Sequence, residues 1–269
     1  MEVAVVSVRA DVGGGVRHCL APWWKVFPVW ARQELLLLIR EPMVIIFSLV
    51  FPVVMYVFIG IPYGSQEIQP GVKFIDMMFP ALIVTVAANI LIMGLPIYLA
   101  ALRSRGADRR YAILPLPGWI FAAAVLSAML ILVIAAATVI VTVVAVRDGV
   151  RPSAASLPFI GLILGSITWL SAFGFFLGTL KLPPRTIQAL SAIIFFTLFF
   201  GSGAAIPIAG LPQILQDILE WNPLKQWLDV MVGYYTQTGV SLTQKLRLLI
   251  AIPITIICAI TGLILWKRR

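Results

Sequence analysis

The stretch from Gly118 to Val146, GWIFAAAVLSAMLILVIAAATVIVTVVAV, runs for 29 residues without a charge. About 20 apolar residues in a helix cross the hydrocarbon core of a bilayer, so this segment is long enough to span with tilt to spare. Similar runs lie on both sides of it. Toward the N-terminus, Pro42 opens a run from Met43 to Ile61, a proline being tolerated in the first turn of a helix. Ile75 to Leu102 follows, with Pro80 and Pro96 as sites for a kink. Toward the C-terminus come Leu157 to Leu180, Arg185 to Ile206 and Arg247 to Trp266. The expectation is an all-α integral membrane protein with six transmembrane helices at 43–61, 75–102, 118–146, 157–180, 185–206 and 247–266.

Composition supports that reading. The chain of 269 residues is 61% hydrophobic and 12% charged, whereas soluble domains are about one quarter charged. The net charge of +9 sits at the ends of the apolar runs rather than on one polar domain, so it reads as membrane topology and not as a nucleic-acid surface. Cys19 and Cys258 are too far apart in character to form a disulfide or a metal site. Residues 1–22 carry Glu2, Arg9, Asp11 and Arg17 at intervals that break any apolar core. They are expected to form a short, poorly ordered cytoplasmic tail rather than a cleaved leader, leaving 23–269 as the membrane domain.

Residues 23–41 form an amphipathic segment. On a helical wheel Lys25, Arg32, Gln33 and Arg40 share one arc, and Trp23, Trp24, Phe27, Ala31, Leu35 and Leu38 lie opposite. A helix in the interface plane with tryptophans at headgroup depth fits this pattern. Arg32, Glu34, Arg40 and Glu41 argue against a spanning role, since each ion at mid-bilayer costs about 2.5 to 3.5 kcal/mol. Between the fifth and sixth runs, 207–245 mixes apolar residues with Asp217, Glu220, Lys225 and Asp229. It is too polar to span and too apolar for a plain loop, and is expected to form short re-entrant helices.

With six spans, alternate loops share a side. The N-terminal region, the 103–111 loop, the 181–185 hinge and the C-terminus hold 14 of the 20 Lys and Arg; the other side holds six, offset by Glu67, Asp76, Asp148, Asp217, Glu220 and Asp229. The positive-inside rule puts the first set, with both termini, in the cytoplasm.

Catalytic parts are missing. Gly201-Ser202-Gly203 has no histidine to work with, His18 preceding the first span, so a serine protease site cannot be assembled. No GxxxxGK[ST] loop is present for nucleotide, and no metal-ligand spacing occurs. Ion-coupled carriers keep ionisable groups within their spans; here the interior polar residues are neutral, among them Thr85, Asn89, Ser166, Thr168, Ser171 and Thr197. That favours a membrane subunit powered by a partner over an ion-coupled secondary transporter or a non-transporting structural protein. Gly161, Gly165, Gly174 and Gly178 form two small-xxx-small pairs on opposite faces of the fourth span, suited to close helix packing. Asn89, one turn from Thr85, and the Phe195, Phe196, Phe199, Phe200 cluster suit internal packing or contact with cargo.

Three segments in order carry a family resemblance: the basic helix ending Arg40-Glu41-Pro42; Arg103-Ser104-Arg105-Gly106 with Arg109, Arg110 and Leu114-Pro115-Leu116-Pro117; and Phe200-Gly201-Ser202-Gly203 followed by Pro207, Leu211-Pro212 and Trp221-Asn222-Pro223-Leu224. The chain resembles the permease subunit of ATP-binding-cassette exporters of the second permease type, a fold shared with the G-subfamily transporters. The resemblance covers about residues 25 to 267; it departs at Ser104, where an acidic residue commonly stands between the basic ones. It implies an inner-membrane half-transporter that pairs with a second permease copy, the same or different, and with two separate cytoplasmic ATPase subunits. Those partners, not this chain, would bind ATP and Mg. It further implies ATPase coupling through Arg32, Arg40, Arg103, Arg105, Arg109 and Arg110, and an external gate involving Pro207, Pro212, Asn222 and Pro223. Thr85, Asn89, Phe196 and Phe199 would lie along a pathway for a drug, lipid, glycolipid or peptide.

Overall fold

A proline inside a helix removes one backbone donor and collides with the carbonyl four residues earlier. Two helices of this chain meet that problem with the same Gly-aliphatic-Pro pattern, Gly60-Ile61-Pro62 and Gly94-Leu95-Pro96. In the computed structural model both solve it with a π turn just before the proline. Tyr56–Gly60 and Asn89–Gly94 are π-helical, with Ile61 N–H donating to Tyr56 O and Leu95 N–H to Ile90 O, five residues back. The widened turn takes up one surplus residue and lets the helix continue.

The structure describes residues 23–40, 46, 50–106, 118–203 and 212–267. Among them the helices are α1 (Trp23–Ile39), α2 (Phe51–Tyr63), α3 (Phe74–Ser104), α4 (Gly118–Arg147), α5 (Leu157–Thr179), α6 (Pro184–Gly201), α7 (Gln213–Leu219), α8 (Pro223–Thr236) and α9 (Leu242–Lys267). Five of these, α3, α4, α5, α6 and α9, are long and apolar enough to cross a membrane. The expected first span is represented by α2 and by residues 46 and 50; its other residues lie outside the described ones, as do 1–22, Glu41, Pro42 and the end of the chain.

Several boundaries differ from the sequence expectation. The 62–73 loop holds a small antiparallel hairpin, β1 (Glu67–Gln69) with β2 (Val72–Lys73), turned by Pro70 and by Gly71 at φ +76°. A type II turn needs such a positive φ at its third residue and commonly has proline before it. Helix α6 stops at Gly201 rather than running to 206, and Gly203 takes φ +78° directly afterwards. Helix α9 starts at Leu242, five residues early. Ser241 and Gln244 form a reciprocal cap there, Gln244 N–H donating to Ser241 Oγ (3.2 Å) and Ser241 N–H to Gln244 Oε1 (2.9 Å), an arrangement that starts a helix firmly.

Helix α3 is the axis. Of its most apolar stretch 78% is buried, against 11% for α9, and α4, α5, α6 and α8 all pack on it. Helix α1 lies along α4, where Trp30 meets Phe121 edge-on at 5.8 Å; Phe121 in turn stacks on Trp266 of α9 at 6.1 Å.

The buried line of α1 takes in Leu38 from the apolar side of the wheel but not Trp24. It runs through Trp30, Glu34 and Leu38, with Glu34 and Leu38 both at 0% exposure, while Trp24, Leu36, Leu37 and Ile39 face outward. Glu34, read as a group kept out of apolar surroundings, is instead enclosed because Tyr98 of α3 supplies a hydroxyl to it.

Candidate functional site

The contacts between helix ends sort into two groups. At one end, Asp76 in the first turn of α3 accepts from Lys73 N–H (2.9 Å) and forms a two-pronged pair with Arg151, Nε to Oδ1 at 2.8 Å and Nη2 to Oδ2 at 2.7 Å. Bidentate geometry of this kind is the strong form of the Arg–carboxylate pair. Arg151 also donates to Gly71 O in the hairpin (2.6 Å), and its backbone N–H donates to the Tyr235 hydroxyl (3.1 Å). The hydrogen bonds to Asp76 raise the Arg151 guanidinium further above its ordinary value. Ser153 donates to Tyr235 O, and the Tyr235 ring stacks on Phe79 at 5.0 Å and lies 5.4 Å from Phe159. Tyr56 donates to Asp148, and Arg247 to Glu220 (2.8 Å). The hairpin, the 148–156 connector, α8 and the start of α9 thus meet at this end.

At the opposite end α1, the last turn of α3 and the α5–α6 connector come together. Tyr98 donates to Glu34 Oε2, and Oε1 has no hydrogen-bond partner. Burial pushes the Glu34 carboxyl above the usual carboxylate range, because water is withdrawn from the charged form. Arg103 donates to Gly178 O at 2.9 Å and also to Leu180 O. It thereby caps the C-terminus of α5, where unsatisfied carbonyls carry partial negative charge.

The residues proposed from sequence are distributed across both groups. Arg32, Arg40 and Arg105 are exposed, whereas Arg103 is half-buried in its helix-capping role; Arg109 and Arg110 lie outside the described residues. Thr85, Asn89 and Phe199 are buried within the chain, at 2%, 4% and 3% exposure, and Phe196 faces outward. Phe195 and Phe199 turn inward to Phe51, at 6.1 and 5.7 Å, while Phe196 stacks on Phe200 on the outer face of α6. Asn89 opens the π turn of α3.

Three of the four glycines are contact points. A Cβ on Gly174 would lie 1.9 Å from Leu91 O, one on Gly178 would press on Leu99 and Pro96, and one on Gly165 would strike the Trp227 ring at 2.6 Å. Gly161 has open space beside it within the chain. Asn222 is the N-cap of α8 and Pro223 its first residue; Pro212 precedes α7. Pro207 lies outside the described residues.

Sequence reasoning missed Glu34, Tyr98, Arg151 and Tyr235. The positional signal for Asp76 and Arg151 was their place in loops on the same side of the six-span scheme. Nothing local pairs Glu34 with Tyr98, 64 residues away.

No curated protein sequence matches the chain significantly. The family model of the ABC-2 type transporter matches residues 26–235, from inside α1 to the last residues of α8. With its several bilayer-length helices and this match over most of its length, the chain is a multi-pass membrane protein and belongs to the ABC-2 type transporter family, whose members are membrane transport components and not catalysts.

Proposed function

We propose that this chain is the membrane half of an ATP-driven exporter of the inner membrane, moving a hydrophobic or amphipathic cargo as separate ATPase subunits close and open. The supporting observation is where the charges sit. Among the described residues the three ion pairs, Asp76–Arg151, Lys225–Asp229 and Glu220–Arg247, involve the first turn of α3, the connectors, α8 and the start of α9, and the middle of α3 is lined by neutral groups. A bundle without an internal ion relay draws its energy from outside the membrane.

In this reading residues 43–61 complete α2 as the first of six spans, α1 lies in the cytoplasmic interface, and α7 and α8 dip into the outer one. Both termini are cytoplasmic. Arg32, Arg40, Arg103, Arg105, Arg109 and Arg110 face the ATPase, and ATP and Mg belong to that partner. Pro207, Pro212, Asn222 and Pro223 border the external gate. A second permease copy completes the pathway: Phe196 is open to it, while Thr85, Asn89 and Phe199 reach it when α3 and α6 separate.

The test is an ATPase assay with and without the partner. The purified chain alone is expected to show no turnover, and the assembled complex to hydrolyse ATP and move cargo with the proton gradient dissipated. Turnover by the chain alone, or transport abolished by dissipating the gradient while ATP remains high, would reject the reading.

A further inference from the structure

Between the β1–β2 hairpin, the first turn of α3, the second half of α8 and the start of α9 lies a cavity of about 200 Å³. Val72 and Val232 give it an apolar wall, and Asp229, Thr236, Thr238 and Gln244 bring polar groups to it. Gly233 lets it close. A Cβ there would lie 2.6 Å from Gly239 O, so the turn after α8 presses onto the helix only because that side chain is missing. The turn takes Gln237 to φ +60° and Gly239 to φ +90°. A residue with a side chain adopts such left-handed backbone only where its surroundings hold it there.

Three of the polar groups are held by the chain and still have capacity to spare. Gln244 Oε1 accepts from Ser241 N–H at 2.9 Å. A backbone N–H can only donate, so this bond fixes which way the amide faces and leaves its NH2 as a donor. Asp229 Oδ2 accepts from Lys225 Nζ at 2.6 Å, which offsets the charge of the carboxylate and leaves Oδ1 as an acceptor. Thr236 gives its one proton to Val232 O at 2.7 Å. In the 2.9 Å contact between the two hydroxyls Thr238 is therefore the donor, and lone pairs of Thr238 Oγ1 remain. Asp229 is the single charged side chain among the described lining residues.

An oriented donor and two acceptors beside an apolar wall, with the one charge already paired, suit a neutral ligand. An ammonium group would meet Lys225 next to the carboxylate, and a phosphate would meet the carboxylate itself. A hydroxyl both gives and takes a hydrogen bond, so a carboxylate oxygen and an amide NH2 can together hold two adjacent hydroxyls. The volume is below the roughly 300 to 1,000 Å³ of drug-sized sites, which leaves room for one ring and not for an extended chain. We propose that this cavity binds the vicinal diol of a sugar ring. Asp229 Oδ1 accepts from one hydroxyl, Gln244 Nε2 donates to its neighbour, Thr238 Oγ1 takes a further proton, and the ring carbons rest on Val72 and Val232. The ring belongs to a free sugar or to a glycolipid headgroup. The inference does not depend on the direction or energy source of transport.

The experiment uses the full chain in a polyoxyethylene detergent, which carries no sugar, and titrates methyl α-glucoside by saturation-transfer NMR. Saturable binding at millimolar concentration is expected, with none of choline or cyclohexanol. Gln244→Glu keeps an oxygen for Ser241 N–H, and with it the cap of α9, but loses the amide donor. It is expected to weaken binding about fivefold, and Thr238→Val about twofold or more, each having lost one hydrogen bond. Lys245→Gln, next in sequence but outside the lining, is expected to bind as the parent does. Thermal unfolding separates lost binding from lost fold, and Thr238→Val, at an exposed position, decides alone if Gln244→Glu melts early. Glucosyl diacylglycerol in the same micelles distinguishes the sources: tighter binding than methyl α-glucoside assigns the ring to a glycolipid, equal binding to a free sugar, and either supports the site. No saturable binding of either glucoside, equal binding of choline or cyclohexanol, an equal loss in Lys245→Gln, or binding unchanged in the two lining variants would overturn the proposal.

Discussion

Asn222 holds Leu198 across a helix junction: its side-chain Nδ2 donates to the Leu198 carbonyl at 3.0 Å while its Oδ1 accepts from Leu224 N–H at 2.9 Å. One amide therefore caps the start of α8 and the end of α6, and Gly201 makes room for it, since a Cβ there would lie 2.7 Å from Nδ2. Asn222→Ala removes both halves and is expected to cost about 1 to 2 kcal/mol, the upper range for a lost N-cap. Asn222→Asp keeps the cap and loses the donor, so its cost falls between. Thermal unfolding of the three proteins checks the order, and Gly201→Ala should resemble Asn222→Ala.

The Glu34 carboxyl has a folded-state value above its unfolded one. Its contribution is therefore fully present below the ordinary carboxylate value and is lost as pH rises through the raised one. Docking of α1 is expected to weaken toward alkaline pH. Glu34→Gln keeps an acceptor for Tyr98 and cannot ionise, so its unfolding temperature should be flat over that window and higher than the parent's on the alkaline side. Melting curves at a series of pH values decide this.

Two glycines on one helix should respond in opposite ways. Gly174→Ala drives a methyl into the Leu91 carbonyl, a backbone atom with little freedom to retreat; a loss of about 1 to 3 kcal/mol or more is expected for forced overpacking. Gly161→Ala meets nothing and should be neutral or stabilising by up to about 1 kcal/mol, as Ala favours the helix over Gly. Detergent unfolding midpoints of the two variants provide the comparison.

The Asp76–Arg151 pair ties the start of α3 to the 148–156 connector. Asp76→Asn and Arg151→Gln should each destabilise by about 1.5 to 3 kcal/mol, the range for hydrogen bonds to charged groups. The Asp76→Arg, Arg151→Asp double exchange should recover part of the loss. A double-mutant cycle on unfolding free energy measures the coupling.

Apolar run length made most helices readable from sequence, because lipid demands about 20 residues per crossing wherever the chain goes. Alternating loop charge likewise anticipated that Asp76 and Arg151 would share an end. What escaped was decided by partners distant in sequence. The charge of Glu34 spoke against apolar surroundings; the Tyr98 hydroxyl lets it be enclosed in them. The small-xxx-small pattern at Gly161 and Gly165 said nothing of Trp227, whose ring occupies the space beside one and not the other. The early start of α9 was legible in Ser241 and Gln244, a local capping signal overshadowed by the charges at Lys245 and Arg247.

The π turn at Asn89–Gly94 also sets a phase. One surplus residue in a helix rotates everything beyond it by about 100° relative to an unbroken α-helix. Pro96, Leu99 and Arg103 face α5 in that rotated frame. Deleting one residue of 89–94 would let the turn close to an ordinary α turn with Arg103 still facing the carbonyls of Gly178 and Leu180 and Asp76 still aimed at Arg151, whereas closing it with all its residues in place would turn Arg103 about 100° away, so one wide turn keeps the two ends of α3 in register.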